Sequence, residues 1–110
     1  MVRSNSIFRT AEPTEPRLSL NLPCVIHLET GAIAATVYNI SYSGLAVRLP
    51  AAQNDFNLAT VRALEVPDIG EFALRSRWRK ADQIGFAFAS RRSARPILEA
   101  YFTQTGQYPD

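Results

Sequence analysis

The sequence predicts an all-β fold, six short antiparallel strands closing into a small barrel, followed by one C-terminal α-helix. Three observations carry that expectation. Apolar and polar residues alternate with period two in short runs between Leu18 and Phe88. Turn-forming residues separate the runs closely enough that consecutive strands must pair as antiparallel neighbours. Only the last stretch changes to helical spacing. At 110 residues and 46% hydrophobic content, the chain supports one modest core and one domain.

Residues 1–16 carry Ser4, Asn5, Ser6, Pro13, Glu15 and Pro16 around isolated Ile7 and Phe8. A stretch with no periodicity and two prolines reads as a flexible arm. The domain is expected over 17–106, with a short tail at 107–110. Its first strand alternates Cys24, Ile26 and Leu28 against Val25, His27 and Glu29, and Thr30-Gly31 turns it into a second run, Ile33 to Ile40. The third run, Leu45 to Leu49, stops at Pro50, which has no N–H for a ladder. A polar segment, Ala51 to Leu58, leads to a fourth strand, Val61 to Val66, closed by Pro67-Asp68-Ile69-Gly70. In the fifth, Phe72, Leu74, Ser76 and Trp78 alternate with Ala73, Arg75, Arg77 and Arg79, which directs apolar groups inward and guanidinium groups outward. Lys80–Gln83 turns into a sixth strand, Ile84 to Phe88. Ser93 as a cap, Pro96 in the first turn, an apolar face of Ile97, Leu98, Tyr101 and Phe102, and Gly106 at the close describe the helix. Closing the strands into a barrel removes exposed edges, and the helix covers an open end.

Composition excludes several functions. One Cys (Cys24) and one His (His27) rule out an internal disulfide, a Cys/His zinc cluster and a two-histidine metal site. No nucleophile with an adjacent base is discernible, so no catalytic residues are assigned and the protein is read as not an enzyme. Glu65, Asp68 and Glu71 read as solvated turn carboxylates, and Cys24 as a buried, inert thiol. No apolar run is long enough to span a bilayer, and Met1–Arg17 lacks the apolar stretch of a secretory signal, which places the protein in the cytoplasm without membrane insertion. A net charge of +2 is small for a general nucleic-acid binder, and no exposed aromatic interleaves the strand arginines. Yet eleven of the twelve basic residues are arginine, whose planar fork suits phosphate and whose flat face stacks on rings.

The segment Asn39-Ile40-Ser41-Tyr42-Ser43-Gly44 joins two strands and holds a short amide, two hydroxyls and a glycine. Such groups satisfy backbone in a connector. They also suit a ligand, with Gly44 admitting close backbone approach, Ser41 contacting phosphate and Asn39 reading a base edge. The rings of Trp78, Phe72, Phe86 and Phe88 are expected in the core, and Tyr42 beside the turn either packs locally or stacks on a base.

This turn matches the [D/N]-x-S-x-x-G signature of PilZ domains, and Leu22-Pro23, Gly44–Val47, Trp78-Arg79 and Ile84–Phe88 resemble the same family over residues 17–102. The resemblance implies a six-stranded barrel that binds the second messenger cyclic di-GMP through this turn and an upstream R-x-x-x-R arm. It implies no cofactor, and assigns ligand contacts to Arg17, Asn39, Ser41 and Gly44. Arg17 stands at the place of the second arm arginine, whereas Pro13 stands at the first. Two readings follow. Either Arg9 or Arg3 reaches back to replace the missing guanidinium, or the barrel is an adaptor that engages a protein partner without nucleotide, using Tyr101, Phe102 and the Arg75, Arg77, Arg79 strand.

Overall fold

In this computed structural model the chain is described over residues 15–50 and 57–109. Seven strands and one helix follow in order: β1 (Leu18–Leu28), β2 (Gly31–Ile40), β3 (Gly44–Arg48), β4 (Val61–Val66), β5 (Gly70–Phe72), β6 (Leu74–Lys80), β7 (Gln83–Phe88) and α1 (Arg91–Thr105). A 3-10 turn, Leu58–Thr60, leads into β4 and is capped by Asn57, whose Oδ1 accepts from the Ala59 N–H at 2.9 Å. The all-β class and the terminal helix are as the alternation requires. All strand pairs are antiparallel, in the order β5-β4-β1-β2-β3-β7-β6.

Two expectations change. The run from Phe72 to Arg79 is two strands, because β5 pairs with β4 and β6 pairs with β7, and the chain changes partner at Ala73. The seven-stranded ladder ends on β5 and β6, which are therefore the two edges of the sheet and also successive segments of one run. A sheet whose edges are joined by a single residue must curl, yet no ladder between the two edges closes it by hydrogen bonds among the described residues. The sheet is thus not closed into the expected barrel; the chain passes from one edge to the other at Ala73, whose carbonyl oxygen accepts from the Ala89 N–H at 2.8 Å.

The second change is at the helix start. Ser90, not Ser93, is the cap: its Oγ accepts from the Ser93 N–H at 3.1 Å, which satisfies an orphan donor of the first turn. Pro96 consequently lies in the second turn, where the carbonyl of Arg92 loses the N–H that would have bonded it. Ala94, Leu98 and Phe102 recur every four residues and are buried, so the helix lays one stripe into the concave face of the sheet. Gly106, at φ 71°, closes it in the left-handed conformation.

The core is built from the inward residues of β1, β2, β3, β4, β5 and β7, with Ile26, Val37, Leu45, Val47, Leu64 and Ile84 fully enclosed beside Leu98 and Phe102. Phe72 and Phe88 pack ring on ring at 4.8 Å. Phe102 is thereby core, and is not available to a partner as the sequence suggested. Cys24 faces the same interior, where burial pushes its thiol up to about 12 from the ordinary 9.0. The native thiol is expected to resist a disulfide reagent at neutral pH that reacts promptly with urea-unfolded chain; equally fast labelling of both would contradict the burial. Since the fold excludes the thiolate, this group contributes full stability below pH 9.0 and loses it as pH rises towards 12.

Candidate functional site

Register in the β1–β2 ladder builds the site. Leu18 pairs with Ile40 and Ser19 with Asn39, so the chain entering β1 runs directly beside the turn that leaves β2. Arg17 consequently reaches Asn39, its Nε donating to Oδ1 at 2.8 Å. Two residues separated by 22 positions in the chain are thus brought together. Arg17 is exposed, and its bond to Asn39 engages one of its five N–H donors.

Within the turn, Ser41 is completely buried. The Ser41 N–H donates to the Gly44 carbonyl at 2.8 Å, and Ser41 Oγ accepts from the Ser43 N–H at 3.3 Å. The hydroxyl proton has its shortest acceptor in Glu15 Oε1 at 3.0 Å, and the Ser43 hydroxyl donates to the same oxygen. Ser41 therefore holds the turn and the incoming chain, rather than presenting itself on the surface. Gly44 also has an internal reason. A β-carbon there would collide with the Phe86 carbonyl oxygen and come within 3.0 Å of the Ala87 Cα, so the close approach it permits is that of β3 to β7. Arg9 lies outside the described residues, as do Arg3 and Pro13.

Strand β6 contributes what the sequence reading placed elsewhere. Ser76 pairs with Phe86 and Trp78 with Gly85, which makes Arg77 the extra residue of a β-bulge. The bulge reverses the phase of alternation, so Trp78 leaves the core and is 45% exposed. Its indole lies over Gly85, where no side chain larger than hydrogen would fit. Arg17, Arg77 and Trp78 then line one hollow of about 180 Å³, floored by Ser43, Gly44, Leu45, Gly85 and Ala87. The missed signal was the glycine itself: Gly85 in the middle of a strand marks either a bulge or the approach of a large group. Arg75 and Arg77 are exposed as expected, while Arg79 is half-buried.

Other candidates resolve into structural roles. Tyr42 packs edge-on against Phe102 at 5.4 Å and lies under the Arg95 guanidinium at 4.6 Å, so its ring is a local strut between turn and helix. His27 Nε2 meets Glu65 Oε1 at 3.0 Å across the β1–β4 ladder, both half exposed, which is a surface pair of small energetic weight. No cluster of His, Cys, Asp and Glu able to hold a metal occurs among the described residues. No helix among them is long and apolar enough to cross a membrane.

A curled antiparallel sheet, a polar turn buttressed by buried Ser41, and an arginine-flanked hollow on the outer face define a class of small β module. Residues 13–104 match the model of the PilZ domain, and the chain belongs to that family. Comparison with curated proteins found no match.

Proposed function

We propose that this protein is a receptor for cyclic di-GMP, a non-catalytic cytoplasmic module that passes second-messenger state to a protein partner. The observation that carries the reading is the meeting of Arg17, Arg77 and Trp78 around one hollow beside the Asn39–Gly44 turn. Each group has a counterpart in a cyclic dinucleotide. An indole offers a stacking surface to a purine, and base–aromatic stacking contributes about 1–3 kcal/mol per base. Two guanidinium groups present forked donors to phosphate. Asn39, held by Arg17, keeps its amide N–H₂ available to a base edge. The hollow is smaller than the ligand, so the nucleotide rests on the sheet face beside the turn.

Pro13, at the place of the first arm arginine, favours the adaptor reading. Arg77 answers it: the second guanidinium is supplied from β6, on a bulge that is rigidly paired on one side to β7, in addition to any contribution from Arg9. The test uses the single tryptophan of the chain as reporter. Titration with cyclic di-GMP is expected to quench or shift Trp78 emission in step with heat measured by calorimetry, and Trp78→Phe is expected to keep the heat while losing the optical signal. No heat and no emission change up to high micromolar nucleotide, with partner capture indifferent to nucleotide, would establish the adaptor instead.

A further inference from the structure

We infer that Glu15 is a positioning residue, a clip that closes the near end of the arm onto the turn before any ligand arrives and so aims Arg17 at the hollow. The nucleotide reading is needed only for the effect on affinity; the clip stands on its own geometry. One carboxylate oxygen of Glu15 accepts from both Ser41 and Ser43 hydroxyls, and Ser41 is completely buried. Two residues later Arg17 bonds Asn39 at 2.8 Å. The entering chain is therefore pinned twice, at Asn39 where the turn begins and at Ser41 and Ser43 within it, with Pro16 between the pins restricting the backbone.

The two pins face different surroundings. Arg17 borders the hollow with Trp78, whereas Glu15 borders a separate one of about 310 Å³ with Tyr42, Arg91, Arg92 and Arg95. Glu15 thus leaves the proposed ligand position free and does not compete for it. Its charge is also matched to its place: the first turn of α1 carries Arg91 and Arg92 and no acidic residue, against the preference of a helix N-terminus for negative charge. The Glu15 carboxylate supplies that negative charge from outside the helix. A site with Pro13 at the place of one arm arginine gains from such preorganisation, because the entropy of ordering residues 15–17 is met in the free protein.

Trypsin cleavage of the ligand-free full chain after Arg17 reads the clip directly, scored by mass spectrometry at the Arg17–Leu18 bond. Loss of two hydrogen bonds to a carboxylate predicts cleavage faster by about tenfold or more in Glu15→Ala, with an intermediate rate in Glu15→Gln and the wild-type rate in Glu71→Gln, which removes an equal charge elsewhere. An unchanged rate in Glu15→Ala overturns the clip. In calorimetry the same variant is expected to bind cyclic di-GMP about tenfold more weakly, and to add no further loss in an Arg17→Ala background, since it acts through Arg17. Faster cleavage with unaltered affinity overturns the positioning role. Faster cleavage with no nucleotide bound by any form, wild type included, upholds the clip and removes the receptor reading.

Discussion

Arg17→Ala is expected to weaken cyclic di-GMP binding by about tenfold to a hundredfold while leaving the fold intact, a range set by the loss of charge-assisted hydrogen bonds. The side chain is exposed and its bond to Asn39 lies at the surface, so its removal opens no cavity and strands no buried charge. Thermal stability should stay within about 0.5 kcal/mol of wild type, as for other surface substitutions. Arg17→Lys discriminates charge from geometry: lysine keeps the positive charge but loses the planar fork, and is expected to recover only part of the affinity. Calorimetry with melting curves on all three proteins checks both halves. Full affinity in Arg17→Ala would show that the hollow beside Trp78 is not where the nucleotide sits.

Gly44→Ala has the opposite signature. A methyl group at this position meets the Phe86 carbonyl oxygen, a backbone atom that cannot swing aside, in the middle of the β3–β7 ladder. Overpacking of this kind costs about 1–3 kcal/mol and more when backbone must move, so urea unfolding should show a loss at or above the upper end of that range. Any loss of nucleotide binding in this variant should track the unfolded fraction. A protein of wild-type stability that no longer binds would instead give Gly44 the ligand-side role that its place in the motif suggested. Comparison of the two variants separates a residue that touches ligand from one that holds the turn.

The fold was largely legible in the chain because its determinants are local. Period-two alternation in β1, β2 and β4 and the apolar stripe of α1 are fixed by which side chains must leave water, and neighbouring strands joined by short turns have few ways to pair. The break at Ala73 was not legible, since alternation continues unchanged through Phe72 and Leu74 and only the identity of the pairing partners differs. Trp78 was misplaced for a related reason. A bulge adds one residue and inverts every face after it, and nothing in the run Ser76-Arg77-Trp78 announces the insertion apart from Gly85 on the facing strand.

By itself the sequence determined the all-β class, the terminal helix and the polar turn at 39–44, because these depend on residue type and spacing along one chain. Only the tertiary structure decided what each motif residue does: that Ser41 is buried as a support, that Gly44 makes room for β7, that Glu15 closes on the turn, and that Arg77 and Trp78 stand opposite Arg17. Those roles arise from strand register and a bulge, which bring together residues far apart in the chain, Arg17 with Arg77 and Trp78 among them. Register is set by the summed packing of the whole sheet rather than by any one run within it.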